Sequence, residues 1–558
     1  MTLPRLSGAP LVLTRLAAEK PLSARLVREV LKRALGIGAL DKLPLEMRAD
    51  LPADLRPLRA RPDKVARAGS APVPRSTWPR RTAHFAEAYL AKRTTPRLVA
   101  ERALGEMDRL AGLRPSMNVV AASDAATALA DAQASTARYE RGAPLGPLDG
   151  VPLLVKDQHD VKGLPTGLGA PLWSHEAASA DATVVARLRQ QGAIMLAKTV
   201  LTEWALSTLG TNAHLKMPHN PFDPSRAAGG SSTGSAVGVA LGLCPLATAG
   251  DGGGSIRVPA SFNGIFGLKP TMGRVSRAGD RFHESVAVVG PLASSTQDLA
   301  RFLDAVAGTA DALDELTAWA PPPPHGGFSA ALGGGVAGLR IGIDEGEWRD
   351  ASAAIAGVGR DALRALEKRG ATLLPVSVPL APHAARIGYL TIGAEGLTYG
   401  RKDWLEKRDL LGEDLRLVLA ALAGVTAVEY LDAQRLRQGL RLQMRETLRE
   451  VDVLALPCTA ESAPRYTEDD EDRPFTDPAA LDALCRYAFL ANVTGLPAGA
   501  APVGLDPSGL PVGLQLVGDA WDEASVLTIL AELEREEVAR VPRAPLAVDL
   551  LEGSAPRQ

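Results

Sequence analysis

Cysteine is nearly missing from this chain. There are three in 558 residues, Cys244, Cys458 and Cys485, far apart and without CxxC or Cys/His spacing. That excludes a disulfide framework and the common zinc sites, and it fits a reducing, cytoplasmic compartment. Aromatic residues make up only 4%, too few for an extended aromatic binding groove. An excess of one charge is absent too. The formal net charge of −2 gives no reason to expect nucleic acid or another polyion as a partner. No apolar run is long enough to span a bilayer. The longest, Ala236–Ala249, carries glycines and a proline, and the N-terminal "MTLPRLSGAPLVLTRLAAEK" lacks the uninterrupted core of a secretory signal.

What is present is core material, 46% apolar residues, and an uneven layout. Residues 1–79 hold fifteen Lys/Arg against seven Asp/Glu, a basic extension on an otherwise acidic chain. Within it "SARLVREVLKRALG" reads as an amphipathic helix capped by Ser23, with Leu26, Val27, Val30 and Leu31 on one face and Gly36 ending it. "GSAPVPRSTWP" reads as a linker. From residue 80 to 550 the pattern is that of one large domain, with 551–558 as a tail. "HFAEAYLAKRTTPRLVAERALGEMDRLAG" predicts one or two helices and "ASDAATALADAQASTARYERG" another. "GPLDGVPLLVKD" predicts a buried strand ending at Lys156, and "ADATVVARLRQQGAIMLAKTVLTEWALS" predicts helix, strand, helix. Such alternation predicts an α/β fold with a mostly parallel sheet under helices. "PPPPHGGFSAALGGG" reads as a low-complexity loop between the two halves.

Three polar features stand out against this background. Lys156 closes an apolar run; buried there, its amine loses charge more easily and becomes a usable base. "AAGGSSTGSA" (Ala227–Ala236) has the glycines and serines of a tight turn entering a helix, where free N–H groups favour an anion or oxyanion. "GDGGGSIRVPA" (Gly250–Ala260) sets Ser255 after three consecutive glycines. A backbone stripped of Cβ atoms lets N–H donors approach a reacting group closely.

Together these blocks resemble the amidase signature family. Gly229-Gly230-Ser231-Ser232-Thr233-Gly234-Ser235-Ala236 matches its GGSSxGSA block, and Gly253-Gly254-Ser255-Ile256-Arg257-Val258-Pro259-Ala260 its GGSIRxPA block. "HNPFDPSRAAGG", "FNGIFGLKPTMGRVS", "VDVLALPCTAESAP" and "NVTGLPAGAAPVGLDPSGLPVGLQLVG" are similar to other family segments, so the resemblance covers about residues 80–535. It implies one large domain with a mixed sheet covered by helices and hydrolysis of a carboxylic amide without cofactor or metal. It also implies a Ser–Ser–Lys triad. Ser255 matches the nucleophile, Ser231 the bridging serine in a cis peptide, and Lys156 the base. The oxyanion is expected on the N–H groups of Gly252, Gly253 and Ser255, with Gly254 and Ser232 in the same substrate-binding surface. The partner implied is a small-molecule amide, and a homodimer is consistent with the family. Where the family often has threonine, or threonine and isoleucine, around the aspartate of T-D-T/I-G-G-S, this chain has Gly250 and Gly252. The change keeps every N–H but predicts a looser loop. Asp251 and Arg257 are expected to brace it. The acyl pocket is expected from "EWALSTLGTNAHLKMP" and "RIGYLTIGAEGLTYGRKDWLEKRDLL", with Trp204, Tyr389 and Tyr399 as core more than contacts.

Three other readings use the same residues. Gly230–Gly234 also fits G-x-S-x-G, with Ser232 as nucleophile and His283, His325 or His383 as base. A phosphate-binding loop fails because no GK[ST] follows, and His159 beside Asp157 lacks a third metal ligand. Within the resembled family, the alternative role is that of the A-type glutaminase component in a tRNA-dependent amidotransferase complex. The basic extension argues against that role, although a basic arm also suits nucleic acid.

Overall fold

Apolar runs that end in polar residues become the strands that hold the site. The computed structural model describes residues 4–54, 56–59, 78, 80–173, 175–281, 284–466 and 474–552. The expected linker, apart from Trp78, and the tail beyond residue 552 lie outside them. An eleven-stranded sheet is formed by β1 (Val120–Ala122), β2 (Pro152–Lys156), β3 (Ile194–Thr199), β4 (Leu246–Asp251), β5 (Phe266–Lys269), β6 (Val288–Ala293), β7 (Arg340–Ile343), β8 (Thr372–Pro375), β9 (Val453–Pro457), β10 (Ala498–Leu505) and β11 (Pro511–Gly518). Their order is β1-β3-β2-β4-β6-β5-β10-β11-β9-β7-β8. β2, β3 and β4 are buried at every position, as strands covered on both faces must be.

The sheet is mixed, not mostly parallel. Parallel pairing is confined to β3-β2-β4 and β9-β7-β8, and every other neighbouring pair is antiparallel. For one of these pairs the reason is connection length. β10 and β11 are separated only by 506–510, where Asp506 accepts the N–H groups of Ser508 and Leu510 and Gly509 has φ +81°. So short a link cannot make the crossover that parallel strands need.

The basic extension is fastened to the body. It contains α1 (Gly8–Glu19) and α2 (Pro21–Ala34). α2 starts two residues before Ser23, whose hydroxyl instead donates to the Ala17 carbonyl. The anticipated apolar face is corrected as well. Leu31 is buried, but Leu26 is 73% exposed and Val30 is also exposed. What faces the protein includes Lys32, paired with Glu429 at 2.6 Å. Arg15 pairs with Glu413 of the body as well as with Glu19 of its own helix, and Arg48 pairs with Asp432. The surplus positive charge of the arm thus meets acidic side chains of the body.

Beyond the arm, the predicted helical stretch is two helices, α3 (Thr82–Leu90) and α4 (Pro96–Ala111), followed by α5 (Ala125–Glu140), capped by Asp124. α6 (Thr183–Gln190) precedes β3. The helix expected after β3 is only the short turn Glu203–Ala205, where Trp204 and Ala205 have φ +54° and +56°. The proline-rich stretch is not merely a loop. Phe328 is fully buried, and Asp304 accepts N–H groups from Phe328 and Ser329 at the start of a helical turn. No helix among the described residues is long and apolar enough to cross a membrane.

Candidate active site

Four segments converge at the ends of β2 and β4. β2 delivers Lys156, fully buried, whose Nζ donates to Ser231 Oγ at 2.8 Å and lies 3.4 Å from the Gly250 carbonyl. The Lys156 N–H donates to Thr248 Oγ1 on β4 at 3.0 Å, which ties the two strands where the lysine leaves the sheet. Ser231 follows a cis Gly230–Ser231 peptide and leads into α7 (Thr233–Ala240). Gly229 and Gly230 are required by close packing: added Cβ atoms would meet Phe262 at 3.0 Å and Thr202 at 2.9 Å.

Past β4, 252–256 curl into α8 (Arg257–Phe262), and Asp251 organises that curl. Its carboxylate accepts the N–H groups of Gly254 (2.8 Å) and Ile256 (3.0 Å) and pairs with Arg257 at 2.8 Å, all in a fully buried setting. Burial alone would raise this carboxyl; Arg257 beside it outweighs burial and holds it well below the usual carboxylate range. Arg257 in turn bonds Gln515 on β11, the Ala488 carbonyl and Asn492. The bracing role expected for both residues is visible in these contacts.

The bonds of this loop sort its N–H groups. Gly254 N–H is already engaged by Asp251, so it is not a free oxyanion donor, and Ser232 Oγ donates to the Gly250 carbonyl at 3.3 Å. Among the described residues no backbone hydrogen bond engages the N–H of Gly252, Gly253 or Ser255. Gly254 serves by conformation instead: φ is +118°, and a Cβ there would stand 2.8 Å from Ala488.

The two unusual glycines do not leave the loop slack. A Cβ at Gly250 would lie 3.0 Å from Gln158 Oε1, and one at Gly252 would lie 2.7 Å from Ile392 Cδ1. Neighbouring side chains occupy the space that threonines would fill. Gly253 is tighter still, with Phe489 at 2.4 Å from its missing Cβ. Ile392 comes from α9 (Ala384–Tyr399), and α10 (Glu413–Leu422) and α11 (Ala427–Glu450) follow it. Phe489 and Asn492 come from α12 (Ala488–Thr494). Phe489 lies outside every segment quoted above; Ile392 falls in the anticipated pocket segment, and Asn492 and Gln515 in the family-like stretch 492–518, but sequence reasoning gives none of them a role.

Burial also sets the proton affinities. It lowers the Lys156 ammonium to about 8, with Asp280, Asp251 and Glu284 opposing. His159 is fully buried against Thr248 at 3.0 Å, and burial with nearby Lys156 and Lys198 drives it down to about 3. It stays neutral through the physiological range. Asp157, the other half of the tempting metal pair, is bound to Lys198 at 2.7 Å. Of the alternative bases for Ser232, His325 is exposed in its loop and His383 sits half-buried beside Arg386, while 283 lies outside the described residues.

A largely apolar pocket opens beside this centre, lined by Thr202, Leu206, Leu209, Ile392, Leu415 and Leu422, with Glu203 and Asp414 as its acidic members. Thr202 links it to the serine, its N–H reaching the Ser231 carbonyl at 3.4 Å. Both anticipated pocket segments contribute. Leu35 of the arm and Phe475 contribute as well, which sequence reasoning missed. Tyr389 is a pocket wall, Trp204 is core, and Tyr399 is 55% exposed.

A mixed sheet under helices thus carries a buried lysine, two serines and a glycine loop at its strand ends. The amidase family's sequence profile matches residues 105–527, and the chain belongs to that family, whose chemistry is hydrolysis of the C–N bond of amides. It is 35% identical over 474 residues to the fatty acid amide hydrolase of Arabidopsis thaliana, covering 83% of this chain and 76% of that one. It is 34% identical over 486 residues to the A component of the glutamyl-tRNA(Gln) amidotransferase of Oleidesulfovibrio alaskensis, covering 81% and 96%. The peptide amidase of Stenotrophomonas maltophilia shares the fold, with a TM-score of 0.72 and 28% identity over 85% of this chain and all of that one.

Proposed function

We propose that this chain is a stand-alone amidase that cleaves carboxylic amides with an apolar acyl group through an acyl-enzyme on Ser255. The observation that carries the reading is the buried 2.8 Å contact between Lys156 Nζ and Ser231 Oγ, beside a loop with unengaged N–H donors. A serine hydroxyl is a weak nucleophile at neutral pH and needs a base. Neutral Lys156 takes the Ser231 proton as Ser231 takes that of Ser255, and Ser255 Oγ bonds to the amide carbon. The carbonyl oxygen becomes an oxyanion held by the N–H groups of Gly252, Gly253 and Ser255. Ser231 then protonates the amine nitrogen as Lys156 returns its proton to Ser231, the C–N bond breaks, and water, activated through the same relay, releases the acid and restores Ser255. The apolar pocket receives the acyl part, in keeping with the fatty acid amide hydrolases among the relatives. The three cysteines are free and buried, which suits the reducing cytoplasm proposed as its location.

The test is hydrolysis of a panel of acyl amides by the purified chain alone, with no ATP or partner, followed by a fluorophosphonate probe and peptide mapping. Label on Ser255 together with single-chain turnover supports the reading. Label elsewhere overturns the nucleophile. Activity only in the presence of the other amidotransferase components would favour the glutaminase role instead.

A further inference from the structure

Far from the serines in sequence, the arm and α11 enclose a cavity of about 290 Å³. Four arginines line it, Arg56, Arg59, Arg441 and Arg445, against two carboxylates, Asp54 and Asp519. Asp54 is paired with Arg56, Asp519 Oδ1 accepts the Ala520 N–H at 2.8 Å, and the arginines outnumber the carboxylates of the lining four to two. Arg59, Arg441 and Arg445 form no ion pair with any described residue.

Arg441 is the telling member. It is 5% exposed, and its two terminal nitrogens hold the carbonyls of Asp54 and Arg56 at 2.6 and 2.8 Å. Its Nε is buried with no partner among the described residues, and so is the Gln438 oxygen one turn away on the same helix. Asp54 acts on Arg441 through space but is itself paired with Arg56, and a buried guanidinium with an idle donor and a shared counter-charge is costly unless something anionic completes it. Burial and neighbouring Arg437 pull its proton affinity down to about 10 against the opposing pull of Asp54. A flipped Gln438 amide would add a donor to the same cavity. The outer wall is Trp319, against which the Arg56 guanidinium stacks at 5.6 Å.

We infer that this arm–body cavity is a binding site for a small oxyanion, phosphate or carboxylate, gripped by Arg441 Nε, Arg59 and Arg445. The geometry suits such groups because guanidinium forks match planar or tetrahedral oxygen acceptors. The site is separate from the serine chemistry, so its test does not depend on turnover.

Calorimetric titration of the full-length protein with sodium phosphate and with sodium acetate, at ionic strength fixed by chloride, reads the site directly. Saturable binding of either ion is expected. Arg445→Ala and Arg59→Ala are each expected to weaken it about tenfold, the loss of one charge-assisted contact, and Ser255→Ala should bind as the parent does. The tighter of the two ions identifies the source of the oxyanion. Both substituted side chains are exposed, so unchanged melting without ligand certifies that the variants fold. No saturable binding of either ion, or binding that survives both substitutions, overturns the inference.

Discussion

Replacing Lys156 by methionine separates its chemical role from its structural cost, because the two have opposite signs. In the unfolded chain this amine titrates near its ordinary 10.5; burial at the end of β2 brings it to about 8. That gap corresponds to about 3 kcal/mol of destabilisation carried wherever the folded lysine is charged. Between the two values the unfolded chain holds more protons, so stability rises with pH from about 8 to 10.5 and the full penalty applies below 8. Methionine removes the penalty and forfeits the hydrogen bond to Ser231, about 1 kcal/mol. The variant should therefore be roughly 2 kcal/mol more stable than the parent at pH 7 in urea unfolding. That advantage should shrink above pH 8 and reverse above pH 10.5, where only the lost hydrogen bond, about 1 kcal/mol, remains.

Activity must move the other way. The parent's kcat/KM should climb about tenfold per pH unit up to about 8 and then level off, since that limb reports the base of the free enzyme. At pH 7 only about one lysine in ten is neutral. Lys156→Met should abolish turnover at every pH. His159, driven to about 3, cannot generate a limb near 8. A profile flat from pH 6 to 9, a limb near that of an ordinary histidine, or a Lys156→Met protein less stable at pH 7 would refute the reasoning.

Two further substitutions probe the loop. In Gly253→Ala the new methyl meets the buried Phe489 ring at 2.4 Å, so the donors must shift; kcat should fall about a hundredfold while KM changes little. Arg257→Met strands Asp251, fully buried, without its cation; the protein should lose about 3–5 kcal/mol in urea unfolding, most of it recovered in the Asp251→Asn/Arg257→Met double variant.

The parts of the site that the sequence displays are those whose chemistry is local. Ser231 and Ser255 each sit in a run of glycines that a tight turn and a donor loop demand within a few residues, and Lys156 ends an apolar run that only a buried strand explains. What stayed hidden is long-range. Asn492, Gln515 and Phe489 reach the Asp251 loop from more than two hundred residues away, and an asparagine that braces a carboxylate looks, in sequence, like any other. Gly252 shows the same limit from the other side. As a string it suggests a slack loop, because the string cannot show that Ile392 fills the vacated space. The arm repeats the lesson for packing. Its charge surplus is plain, yet the periodicity of α2 points to a face containing Leu26 and Val30, both of which are exposed. On α2 the buried residues include Ala24, Leu31 and Lys32, the last paired with Glu429 of the body, and an ion pair between distant segments leaves no period in either one. Local pattern therefore identifies which groups react, while the rigidity that makes them effective is encoded in residues whose meaning exists only after folding.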